Sequence, residues 1–547
     1  KTLYDFLKYD EDVSVKASRL ANYCMRKADE DTRNATYQAM SGKFMGTVVA
    51  LRAACSFETP EIMAISDEKL DAFYAEYPAL ERFRRSLTNT RRRRAHTLSA
   101  AEEKLLAAAG EMASAPDDIY GMFADADISF QDAVDAEGKT HPVRQGTFVS
   151  LEQNPDRALR KSAYENLYDG FTAFKNTAAG LLDAQNKQLK FFAEARRYEN
   201  AFEASLNANN VPTSVYLNLI ETVHKHLPKM HRYVRLRKKL LGVDELHFYD
   251  VYTSLLSGVD KKIPFAEAKK TVYESLHPLG EEYRAILKEG FENRWIDVYE
   301  NQGKRGGAYS TGVYGVHPYM LLNWSGTLDD VFTLIHEMGH SMHTWYSSHE
   351  QTFLNSHYKI FVAEVASTTN EILLLEYLLG KATSDVERAY LINHYLESFK
   401  GTLIRQTMFE EFERKTNAMV EEGTPLTKDA LCGLYLELNK QYFGPEMVSD
   451  PLIANEWCRI PHFYYNFYVY QYATSFAASV AIAHRILEQG EAAVKPYLEF
   501  LSGGCTKDPV SLLKIAGVDL STSKPVDEAL EVFGGAVRQM EELQKEF

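Results

Sequence analysis

Apolar residues recur at three- and four-residue spacing, with charges between them, over residues 66–90, 99–112, 156–198, 212–241, 264–289, 383–422 and 525–547. That period marks amphipathic helices that bury one face, so the pattern predicts a mainly helical chain. It breaks at 114–153, where Pro116, Asp117 and Asp118, then Glu137-Gly138 and His141-Pro142, are turn signals. Between them, Ile128-Ser129-Phe130 and Thr147-Phe148-Val149 read as short strands. A lobe boundary is expected at Asn154-Pro155-Asp156, dividing an N-terminal helical lobe, 1–155, from a larger remainder, 156–547.

A second break lies at 301–326. Gly303, Gly306, Gly307, Gly312 and Gly315 crowd a stretch that also holds Tyr309 and Tyr314. Pro318 then introduces Tyr319-Met320-Leu321-Leu322-Asn323-Trp324, a short apolar run of strand type. Thr327 and Asp330 stand at capping-box spacing, so a helix should begin near Leu328. That helix is presented directly after a glycine-rich loop and a strand.

The helix carries Leu334-Ile335-His336-Glu337-Met338-Gly339-His340. Histidines at i and i+4 share one face with roughly 6 Å between Cβ atoms. Both imidazoles can then reach one zinc ion at about 2.0–2.1 Å, and Glu337 projects beside them, where it can take a proton from water. A surface helix with two ordinary histidines would show the same letters, so context must decide. A catalytic zinc needs a third protein ligand and an open position. The candidate is Glu364, on a helix expected over 358–379 and set among Phe361, Val362, Ala363, Val365 and Ala366. A carboxylate in such apolar company is costly unless paired or metal-bound. Thr368 and Glu371 follow on nearly the same side and could hydrogen-bond a ligand. His343, one turn past His340, either touches substrate or finishes the helix.

Further on, Arg459-Ile460-Pro461-His462 leads into a run holding Tyr464, Tyr465, Tyr468, Tyr470 and Tyr472. An aromatic core stripe would account for isolated rings. So many phenols argue against one, because each buried hydroxyl wants a partner. Hydrolysis of an amide needs donors for the oxyanion on the scissile carbonyl. Tyr472 and His462 are the candidates, with Tyr465 and Tyr468 as substrate contacts. Ten residues of unbroken helix would not put His462 and Tyr472 on one face, so a helix should start between them, near Asn466.

Composition narrows the class. A net charge of −15 argues against a nucleic-acid binder, whose footprint would be basic. The one basic run, Arg91 to Arg94, reads as a solvated turn between helices. Five cysteines are odd in number, widely spaced and free of any CxxC pair, which suits a reducing compartment. No apolar stretch reaches membrane-spanning length, and Lys1 to Asp12 hold no signal-peptide core. A cytoplasmic address follows as the expectation, and the lack of an initiator Met suggests that the natural chain begins earlier.

With these pieces placed, the chain resembles the oligoendopeptidase F family, zinc metallopeptidases akin to thimet oligopeptidase and neurolysin. The matching stretches are Gly303 to Ser310, His336 to His343, Phe361 to Ser367, Arg459 to Tyr472 and Phe500 to Gly504. The His462-to-Tyr472 spacing is also similar to that of angiotensin-converting enzyme. Against thimet oligopeptidase the tyrosine spacing after His462 differs, and the 303–315 loop has fewer glycines. The resemblance implies a two-lobed, zincin-type helical fold with a deep central channel and a small β-sheet beside the HExxH helix. It makes 156–547 the catalytic domain, with one Zn2+ per chain and internal cleavage of short unstructured oligopeptides. It implies too that Tyr319 to Trp324 is an edge strand pairing with substrate through Tyr319, Leu321 and Asn323. The loop at 303–315, with Tyr309, would close over the peptide. An exo-acting dipeptidyl carboxypeptidase of related fold, a silent peptide-binding protein and a helical protein with a fortuitous motif are the competing readings.

Overall fold

The computed structural model describes residues 1–256 and 262–545. They form two compact units, each assembled from three stretches of chain. The first comprises Lys1–Ala100, Asp260–Leu378 and Ala478–Asp519; the second comprises Ala101–Val259, Leu379–Ala477 and Leu520–Phe547. Residue 155, where the turn signals suggested a boundary, lies inside the second unit. Among the described residues, no helix is long and apolar enough to cross a membrane.

The fold is mainly α, as the periodicity predicts. Seven helices carry the residues described below: α1 (Thr2–Glu30), α2 (Arg157–Ala195), α3 (Ala201–Ala208), α4 (Leu328–Glu350), α5 (Ile360–Lys381), α6 (Arg405–Glu421) and α7 (Tyr470–Gln489). The Asp156 side chain accepts the Ala158 N–H at the start of α2, and the helix then runs 39 residues without a proline. Thr327 and Asp330 close a reciprocal capping box that starts α4. Leu334, Ile335, Met338 and Met342 of α4, like Phe361, Val362, Val365 and Ala366 of α5, are fully buried.

Several local expectations change. Thr147 is not in a strand: its hydroxyl accepts the Arg144 N–H at 3.0 Å and caps a helix over Gln145–Glu152. Ile128 to Phe130 form no regular element, and the hairpin of this region instead pairs Ala133–Val134 with Thr140–His141. The helix expected over 264–289 is two, Phe265–Ser275 and Gly280–Glu292, because Pro278 and the left-handed Gly280 break it. Pro78 similarly interrupts 66–90. Arg91 is buried against Asp67 and not solvated. The C-terminal helix spans Lys524–Leu543, and the last two residues of its expected range lie outside the described ones.

Beside α4 lies a three-stranded sheet of β1 (Ile296–Asp297), β2 (Tyr309–Thr311) and β3 (Tyr319–Leu321). Its order corrects the expected edge strand. β3 is central, parallel to β1 and antiparallel to β2. Met320, Leu322 and Trp324 donate their N–H groups to Trp295, Asp297 and Val298. With its backbone paired on both sides, β3 cannot receive another strand, and β1 and β2 are the outer strands.

Candidate metal centre

On α4, one helical turn sets the His336 and His340 Nε2 atoms 3.1 Å apart. From α5, Glu364 Oε2 approaches them to 3.4 and 3.7 Å. Four ligands held tetrahedrally at about 2.0–2.1 Å would lie about 3.4 Å from one another. The three atoms are therefore spaced as three ligands of one tetrahedrally held metal ion would be. Glu371 reaches back from α5 to His336 Nδ1 at 2.5 Å, so Nε2 is the nitrogen turned to the site.

The two helices meet at Gly339, between the histidines. A Cβ there would lie 2.5 Å from Ser367 Cα and 2.8 Å from both the Ala366 carbonyl oxygen and Ser367 N. The approach is open only to glycine. Glu371 makes the hydrogen bond to His336 that its i+7 spacing from Glu364 allowed, whereas nothing in the sequence marks Gly339.

Glu337 is buried and its Oε2 has no partner among the described residues. Burial pushes its carboxyl up to about 7, aided by Glu364 and Glu371 and opposed by His336 and the Ser310 backbone N–H. Burial would lower His336, yet the hydrogen bond and charge of Glu371, with Glu364 and Glu337 behind it, push it up to about 9. His340 goes down to about 3, through burial first and then the His336 charge. The carboxyl groups of Glu337, Glu364 and Glu371 gathered around two imidazoles make a donor set that a divalent cation would suit. Two imidazole nitrogens and one carboxylate oxygen at tetrahedral separations suit zinc.

His343 neither ends the helix, which continues to Glu350, nor faces solvent. It is buried and stacked on Tyr358, ring centres 3.6 Å apart and planes 4° apart.

The expected substrate contacts of this unit are held by the protein itself. Leu321 is buried in the sheet, and Tyr319 leans on the His317 ring. Asn323 donates its amide to the Arg305 and Gly307 carbonyls and so ties down the glycine-rich loop. Tyr309 donates its hydroxyl to Asp29 of α1 at 2.7 Å, under the Arg26 guanidinium. Next to it, Ser310 shares a hydroxyl hydrogen bond with Ser341 of α4 and turns its N–H to Glu337.

In the second unit, His462, Tyr465, Tyr468 and Tyr472 form one ring cluster. The His462 ring centre lies 5.4, 6.4 and 6.2 Å from Tyr465, Tyr468 and Tyr472, and Tyr468 lies 5.3 Å from Tyr472. The helix expected from Asn466 begins at Tyr470 instead, as α7. The reason is a pair of left-handed residues, Asn466 at φ 57° and Phe467 at φ 56°. Asparagine tolerates that conformation, but for a bulky side chain it is a true outlier, costing about 1–3 kcal/mol. No sequence signal marks Phe467 for it.

Residues 150–532 match peptidase family M3, and residues 61–130 match the family described as oligopeptidase F. Oligopeptidase PepF of Bacillus subtilis is 43% identical over 541 residues, 99% of this chain and 81% of that protein. An oligoendopeptidase F homolog of Lactococcus lactis is 41% identical over 97% of this chain and 88% of its own. The crystal structure of oligoendopeptidase-F from Enterococcus faecium has a TM-score of 0.79 at 37% identity, covering 100% of this chain and 93% of that one. Matched along most of its length by the family and along nearly all of it by such relatives, the chain belongs to peptidase family M3 and is a peptidase.

Proposed function

We propose that the protein is a zinc-dependent endopeptidase that hydrolyses internal bonds of short, unstructured oligopeptides. The observation that carries this reading is the triangle of His336, His340 and Glu364 donor atoms, with the unpartnered Glu337 oxygen one residue from His336 on the same helix. A bound zinc ion would supply a Lewis acid for the scissile carbonyl and make water a better nucleophile. Glu337 then takes the proton of the attacking water at Oε2 and hands it to the departing amine. Glu371 keeps the His336 ring oriented throughout. An extended peptide can pair with the outer edge of β2, beside Tyr309 and in line with Ser310. We assign Tyr472 and His462 as donors to the developing oxyanion, and Tyr465 and Tyr468 as substrate contacts.

An internally quenched peptide of about ten residues, blocked at both ends, tests the reading. Cleavage should occur inside the peptide, stop after chelation and return with stoichiometric zinc. An enzyme acting from a free carboxyl end would leave this substrate intact, and activity indifferent to chelation would remove the metal from the proposal. Tyr472→Phe should lower kcat on the order of 10²–10³-fold, as loss of an oxyanion donor does. A loss confined to KM would make Tyr472 a binding residue instead.

A further inference from the structure

Asn466 and Phe467 stand in the left-handed region between His462 and Tyr472, where neither a helix nor a sheet holds the backbone. Strained residues of this kind persist only where the surroundings over-determine them. Here the surroundings are three polar side chains from three helices of the same unit. Glu413 of α6 accepts the Phe467 N–H at 2.6 Å. Gln185 of α2 donates to the Tyr464 carbonyl at 3.1 Å and to Asn466 Oδ1 at 2.9 Å. Ser205 of α3 donates its hydroxyl to the Asn466 carbonyl at 2.7 Å. The Phe467 ring is seated 5.4 Å from Phe202 and 6.0 Å from Tyr216, ring centre to ring centre.

Glu413 is the telling member. It is only 2% exposed, and its second oxygen has no hydrogen-bond partner among the described residues. Burying a carboxyl for one hydrogen bond is unfavourable. An apolar side chain would fill the space at lower cost, but could not accept the Phe467 N–H. Tyr465 and Tyr468 flank the strained pair directly, and His462 and Tyr472 pack on them. A turn that relaxed to negative φ would re-aim all four rings.

We infer that Glu413, Gln185 and Ser205 are positioning residues: they lock the left-handed Asn466–Phe467 turn and thereby set the pose of the His462–Tyr472 cluster. The inference rests on the reading that this cluster acts on substrate. Glu413→Ala should lower kcat on the order of 10–10²-fold with KM little changed, since small misplacements of reacting groups act on the rate. Amide exchange at Phe467 should quicken in the same variant. Glu413→Gln, which keeps an acceptor oxygen, should restore both. If Glu413→Ala does not fold, Gln185→Leu, which removes both donors and keeps the volume, carries the same expectations. Unchanged kcat in these variants, in a protein whose Tyr472→Phe form is impaired, overturns the inference. So does a Glu413→Gln variant as defective as Glu413→Ala, because the acceptor would then be immaterial. Should Tyr472→Phe itself be fully active, the role of the cluster falls, while Phe467 exchange still decides whether the lock exists.

Discussion

Alanine at position 339 is expected to strip the protein of its metal while leaving its helices in place. The added methyl meets backbone, with Ser367 Cα at 2.5 Å and two further main-chain atoms at 2.8 Å. Carbon atoms rest at about 3.5–4.0 Å, so α5 must withdraw by about 1 Å. Glu364 sits one turn before Ser367 on that helix, and its carboxylate moves with it. Metal ligands tolerate deviations of only about 0.2 Å. The stability cost of such overpacking is about 1–3 kcal/mol, which a protein of this size can absorb. Zinc affinity should fall at least on the order of 10²-fold, a larger loss than the removal of an orienting partner usually brings. Titration of the apoprotein with a zinc buffer, alongside far-ultraviolet circular dichroism, reads both. Wild-type affinity in Gly339→Ala would mean that the helix contact does not set the ligand triangle.

The second large effect is chemical. Glu337→Gln should reduce turnover by 10²–10⁴-fold or more, on the order of what a positioned general base supplies, with zinc still bound at one per chain. The amide has the size of the carboxylate and can still accept the Ser310 N–H, so the site keeps its shape. It cannot accept a proton from water. The substitution also removes a buried acid, whose charged form burial disfavours. The melting temperature should therefore hold or rise, which separates the loss of rate from a loss of fold. KM should change little, because a proton acceptor acts in the transition state. Turnover near wild type would remove Glu337 from the mechanism and leave the bound metal without its base.

These two substitutions also separate what is legible in the sequence from what is not. The paired histidines and Glu337 follow from helix periodicity, and the start of α4 follows from Thr327 and Asp330, three residues apart. Such relations span one turn, so spacing alone carries them. Local patterns mislead where pairing is long-range or where a single residue redirects the chain. Thr147 reads as a strand former, yet its hydroxyl caps a helix. The resemblance implies an edge strand over Tyr319 to Trp324, but the strand Ile296–Asp297, two residues long and too short for any pattern to mark, covers one side of it.

Determined by the sequence itself, then, are the helical build, the HExxH face and the separation of His462 from Tyr472 by a helix break. All of these arise from neighbours along the chain, where backbone geometry is nearly the same in any surroundings. Tertiary structure alone decided that Gly339 is the contact that brings Glu364 within reach, and that β3 is enclosed while β2 stays at the edge. It also decided that Phe467 is held left-handed by Glu413, and that the two units interleave along the chain. Those outcomes depend on atoms tens or hundreds of residues apart competing for the same space and the same hydrogen bonds, which no local pattern records.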